Sequence, residues 1–127
     1  MQDEPRPDEI LTRVANFLKG PASRETGAHI SFQLRVAANA TEICQRQLTL
    51  SPEADAAELA RLRGLLHADG DLMALNRELA RRIRDGELTL ESPGLAEHLW
   101  ATTLAKLAVD QPTYSGYRAA LAERGGA

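Results

Sequence analysis

A chain of 127 residues can bury roughly two-thirds of the surface its unfolded form exposes, so it needs neither a disulfide framework nor a structural metal to fold. Its 15 Lys and Arg against 18 Asp and Glu leave a net charge of −3. With the two signs interleaved, no sequence-wide positive field exists to gather nucleic acid, and none is expected as a partner.

The opening "MQDEPRPDEI" has neither the basic flank nor the apolar run of a signal peptide. No stretch nears the roughly 20 apolar residues of a membrane span, so a cytoplasmic protein with no membrane partner is expected. One helical domain over 1–127 is expected, with 1–7 disordered and 125–127 a tail. The first helix is predicted from about Asp8 to Lys19, where Ile10, Leu11, Val14, Phe17 and Leu18 mark one apolar face. "GPASRETG" at 20–27 should break it.

A second helix is predicted from Ala28 to Leu48. Phe32, Val36, Asn39, Ala40 and Ile43 form its inward ridge, flanked by Ile30, Leu34, Ala37, Cys44 and Leu48. Cys44, the single cysteine, excludes an intrachain disulfide and is expected as a buried thiol in a reducing compartment. Ser51-Pro52 then reads as an N-cap and first helical residue, with Glu53 and Asp55 complementing the dipole of a third helix that runs to Gly70.

The fourth helix, about Leu72 to Asp85, is expected to stop at Gly86, after which "ELTLES" is an extended connector. Ser92-Pro93 repeats the cap-and-proline start, and Leu95, Leu99, Trp100, Leu104 and Leu107 carry a fifth helix toward Pro112. No segment alternates with period two for long enough to build a sheet. The predicted fold is all-α: a compact antiparallel bundle of about five helices closed by a short helical or turn-like C-terminal clasp.

Candidate chemistry is sparse. His29, His67 and His98 lie far apart with no second ligand at metal spacing, so no metal or cofactor is expected. Asp69 and Asp71 begin like a calcium loop, but its sixth-position glycine is missing and Ala80 stands where a bidentate glutamate is required. Capping explains them better. Arg77, Arg81, Arg82 and Arg84 end a helix whose dipole favours cations.

Asn39, bracketed by Arg35 and Glu42, is the polar group expected at the core or its edge. Buried, it needs a partner: an inter-helix tie is the plain reading, a pocket with Arg35 on an anionic group the sharper one. In "VDQPTYSGY" (109–117), Pro112 ends a helix, Asp110 can cap a new turn, and Tyr114 and Tyr117 share a face. Gly116 lets backbone pass close to a neighbour. Two rings folded over the bundle make a clasp; a ligand platform is the rival. No paired nucleophile and base is visible, so no catalytic residue is assigned and a non-enzyme is expected.

"RVAAN" (35–39), "IRDGEL" (83–88) and "LAKLAVDQPTYSGYR" (104–118) resemble an uncharacterised family of small bacterial helical proteins. Its genes typically stand beside aminoglycoside-phosphotransferase-like kinases and acyl-CoA dehydrogenases. The likeness runs from about Pro7 to Arg118. It implies an accessory to such a kinase or dehydrogenase and supplies no catalytic residue. Two functional expectations follow. The first is a non-catalytic accessory protein that binds a partner or its own copy. The second is a binder of an acyl-CoA or phosphorylated metabolite through Arg35, Asn39, Tyr114, Tyr117 and Arg118.

Overall fold

The computed structural model describes residues 6–125; the disorder and tail expected for 1–5 and 126–127 lie outside the described residues. The fold is all-α, with no strand among the described residues: α1 (Pro7–Phe17), a π turn (Leu18–Ala22), α2 (Ala28–Leu66), α3 (Leu72–Arg84), α4 (Leu95–Asp110) and α5 (Ser115–Gly125). The residues group into two compact units, divided along the chain between Leu50 and Ser51.

In the N-terminal unit, α1 begins on Pro7, whose missing N–H costs nothing at the first helical position. The Arg6 backbone N–H donates to the Glu9 carboxylate at 2.9 Å, so the ordered chain reaches into the segment expected to be disordered. "GPASRETG" was expected as a break, yet the helix continues in a wider π turn containing Pro21. A proline ring clashes with the carbonyl four residues back, and the wider register relieves that clash. Arg24 Nε then donates to the Gly20 carbonyl at 3.3 Å and Thr26 Oγ1 to that of Ala22 at 3.1 Å, satisfying acceptors that the ending helix leaves free. Ser23 and Ser31 hydroxyls meet at 2.6 Å, and Lys19 pairs with Glu42.

The buried face of α2 in this unit is not the expected one. Ala38 is fully buried, with Leu34, Thr41 and Glu42 half-buried beside it, while Phe32, Val36, Asn39 and Cys44 are exposed. The placements of Asn39 at the core and of Cys44 as a buried thiol are therefore corrected. The helix turns Ala38 inward and leaves its larger apolar ridge outside; the only fully buried residues described in this unit are Ala15 and Ala38.

Helix α2 is also one helix where two were expected. Ser51 does not start a new helix, and Pro52 stands inside α2. A cap-and-proline pair is only a local start signal, and here the preceding turn continues through it at the cost of one backbone hydrogen bond.

The C-terminal unit holds the larger core. Leu62 and Leu66 of α2, Leu75 and Leu79 of α3 and Leu95 of α4 form one buried cluster, with Leu59, Leu65, Ala68, Leu72 and Leu88 packed around it. Asp71 caps α3, its Oδ1 accepting from the Ala74 N–H at 2.7 Å, whereas Asp69 stands 3.7 Å from Arg63. Helix α3 ends as expected at Gly86, whose φ of 74° favours glycine. The N–H of Gly86 reaches the Ile83 carbonyl at 3.1 Å and that of Glu87 the Arg82 carbonyl at 2.8 Å.

"ELTLES" forms turns rather than an extended connector, because the Ser92 hydroxyl accepts from the Thr89 N–H at 2.9 Å. That bond takes Ser92 away from helix capping, and Gly94 at φ 83° is the N-cap of α4 instead. Two of the arginines of α3, Arg81 and Arg82, are internal ties. Arg81 grips Glu78, Asp85 and Glu87 at 2.7–2.9 Å, and Arg82 joins Glu78 at 2.7 Å and the Leu66 carbonyl at 3.3 Å. The expected clasp is a full helix, α5.

Candidate functional site

Apart from the ion pairs of α3, three places on the described residues bear on binding. The first lies on α2 of the N-terminal unit. Phe32, Val36 and Asn39 recur at helical spacing along one ridge, Arg35 lies alongside, and Lys19 enters from the π turn; the five line a shallow depression of about 550 Å³. Arg35 Nη1 donates to the Ser31 hydroxyl at 3.2 Å, itself held by Ser23. Glu42, expected to bracket Asn39, turns instead to Lys19 and Arg46. The depression thus joins an apolar floor to a guanidinium that has no carboxylate partner among the described residues.

The second place is the start of α5. Gln111 accepts from the Tyr114 N–H at 3.0 Å and the Tyr114 carbonyl from the Arg118 N–H at 3.1 Å, so "PTYS" is a tight turn feeding the helix. The Tyr114 ring lies over Gly116, is 52 % exposed, and leaves Tyr117 half-buried and Arg118 exposed. Gly116 admits a close neighbour, as its position suggested, and that neighbour is Tyr114. The five expected ligand contacts fall into two sets: Arg35 and Asn39 in the N-terminal unit, Tyr114, Tyr117 and Arg118 in the C-terminal one.

The third place is a cleft of about 260 Å³ in the C-terminal unit, lined by Arg61, Gly64 and Leu65 of α2, Pro93 and Gly94 of the turn, and Glu97 and His98 of α4. Arg61, Gly64 and Leu65 stand at i, i+3 and i+4, as do Gly94, the N-cap, and Glu97 and His98, which puts each set on one face. Gly94 adopts a left-handed φ that suits glycine and leaves the wall low beside Leu65, whose Cδ1 would stand 3.9 Å from an added β-carbon. His98 is 2 % exposed. Burial, and then the Arg61 cation, push its imidazole below the ordinary value, with Glu58 opposing, which favours the neutral ring.

Arg61 Nη2 reaches the Thr102 hydroxyl at 3.5 Å. Arg61 Nε and His98 Nδ1 are both buried and have no hydrogen-bond partner among the described residues. Sequence reasoning weighed His98 only as a metal ligand and passed over Arg61. The signal that could have found them is a glycine three residues before Glu97 and a histidine directly after it, facing an Arg-x-x-Gly pair.

Among the described residues, no three His, Cys, Asp or Glu are placed to hold a metal ion, and no helix is long and apolar enough to cross a membrane. Fold and sites together define an all-helical protein with an open apolar–cationic depression on α2 and a cleft lined by a buried histidine and an arginine. The family model of a domain of unknown function, DUF6285, matches residues 24–114. The chain belongs to that family. No curated protein and no solved structure matches it. The matched span contains the whole histidine–arginine cleft, but leaves out α1, Lys19, Tyr117 and Arg118.

Proposed function

We propose that the protein is a non-catalytic helical interaction module and that its N-terminal unit carries the contact surface. The observation behind this reading is the apolar side chain left in solvent there. Ile10, Val14 and Phe17 recur along α1 at i, i+4 and i+7, and Phe32 and Val36 along α2, with Phe32 58 % exposed. Contiguous exposed apolar surface is the usual mark of a binding face, and a unit whose fully buried described residues are two alanines gains much from being covered. A two-helix unit with open apolar faces is half of a four-helix arrangement, so the occupant we favour is another helical surface, a second copy first.

The family resemblance adds a finer reading: a bacterial, cytoplasmic accessory whose partner is a phosphotransferase-like kinase or an acyl-CoA dehydrogenase. The test is the mass of the full chain in solution across micromolar concentrations, beside co-purification with those enzymes. Wild type should assemble with itself or retain one of them, and Phe32→Asp together with Val36→Asp should abolish it. A monomer that retains neither enzyme sinks the proposal.

A second reading rests on the depression where Arg35 faces an apolar floor of Phe32 and Val36. A cation beside apolar surface suits an acyl-CoA or phosphorylated metabolite. Such a ligand should raise the melting temperature, and Arg35→Ala should erase that shift. An unchanged shift in the variant removes Arg35 from the reading.

A further inference from the structure

Beneath the cleft between the end of α2 and the start of α4 lie two polar atoms that the fold itself does not satisfy. The great majority of buried side-chain donors and acceptors are paired, and an unpaired one costs about 1–3 kcal/mol. Here two occur together, Arg61 Nε and His98 Nδ1, on side chains that line one cavity. A structural tie would join them to each other or to the nearest carboxylates. Glu58 is instead engaged by the Asn76 amide at 2.7 Å, and Arg61 spends one Nη on Thr102.

The geometry points to a binding site for a small oxyanion, the carboxylate or phosphate group of a small metabolite, held by Arg61 and His98. As the cleft wall parts around the anion, Arg61 Nε–H donates to one oxygen, and the Nδ1–H tautomer of His98 donates to another. A guanidinium binds such groups well because its donors are planar and always charged. The cleft lies at the first turn of α4, where the helix dipole adds positive potential. Its volume of about 260 Å³ falls below the usual range for drug-sized ligands, which suits a small metabolite. Glu97 on the wall disfavours high negative charge and sets a preference for a monoanion. The site lies in the C-terminal unit and stands or falls independently of the contact surface proposed above.

The test uses the full chain and two probes, acetate and inorganic phosphate, each against chloride at matched ionic strength. The His98 ring resonances, assigned by comparison with His98→Gln, are followed by NMR. Either probe is expected to shift them saturably and to raise the midpoint of the His98 titration, because the anion offsets Arg61 and joins Glu58 and Glu97 as negative neighbours of the ring. Saturation by acetate alone assigns a carboxylate ligand, and saturation by phosphate at least as tight assigns a phosphate group. Arg61→Lys keeps the charge but removes Nε and should weaken the binding about tenfold or more, the loss expected of one charged hydrogen bond. Ring resonances that neither anion moves in the wild-type chain overturn the proposal, as does equal binding by a folded Arg61→Lys.

Discussion

The ring of Tyr114 occupies the space where Gly116 would carry a side chain: a β-carbon there would stand 2.7 Å from Cε1 and 3.0 Å from Cζ. The two positions are therefore coupled. Gly116→Ala must push the ring aside, and because that ring is half in solvent it can swing away without moving the backbone. Lost ring contact is then set against a gain in helix propensity of up to about 1 kcal/mol. In a Tyr114→Ala background only the gain remains. Urea unfolding of the four chains should give an interaction energy of about 0.5–1 kcal/mol, typical of residues in contact. An identical effect of Gly116→Ala in both backgrounds would mean that the ring lies elsewhere.

Arg81 draws three carboxylates to one guanidinium, and the consequence falls on Glu78. Hydrogen bonds from Arg81 and Arg82 hold its carboxyl down from 4.5 to about 2, and Arg81 likewise lowers Glu87. A carboxyl with a depressed folded pKa stabilises fully above its unfolded value and loses that contribution as pH falls toward the folded one. Thermal melts at neutral pH should therefore show Glu78→Gln less stable than wild type. The gap should close between about 4.5 and about 2, and salt should narrow it, since these groups face solvent. A gap constant across that range refutes the assignment.

Where a boundary is set by its own local chemistry, the sequence is legible. Asp71 with an N–H three residues on and Gly86 in a left-handed turn fix α3 to within a residue of the expected span. Two features escape such reading. One is which face of α2 turns inward: the Phe32–Val36 and Leu34–Ala38 stripes have the same period, and only three-dimensional packing selects the smaller one. The other is the cleft, because Arg61 and His98 meet through tertiary structure and neither side chain belongs to a motif. His98 passed as one histidine of three, and an arginine on a leucine-rich helix looks solvated until its Nε is found buried.

Pro52 supplies a direct test of the continuous α2. At the first position of a new helix, a proline is well suited and its replacement by alanine would be neutral or mildly destabilising. Inside a helix it forfeits the bond to the Leu48 carbonyl and costs about 3 kcal/mol, part of which is returned by the stiffer unfolded chain. Pro52→Ala should accordingly stabilise the protein by about 1–2 kcal/mol and leave its helical circular dichroism at least as strong. Destabilisation would restore the two-helix reading.

Leu62 and Phe32 occupy the same helix, yet Leu62 is 0 % exposed and Phe32 58 %. Leu62 sits in the leucine cluster of the C-terminal unit, so Leu62→Ala removes buried methyl groups and leaves a cavity, at a cost of about 2–5 kcal/mol. Phe32→Ser removes a larger side chain from solvent-facing surface and should change stability by no more than about 0.5 kcal/mol. Both are to be measured by urea unfolding at the lowest workable protein concentration, where association adds least to apparent stability. At high concentration the order should compress, because covering Phe32 in an assembly makes its loss costly as well. A Phe32→Ser penalty that is already large in the dilute monomer would place that ridge back in a core.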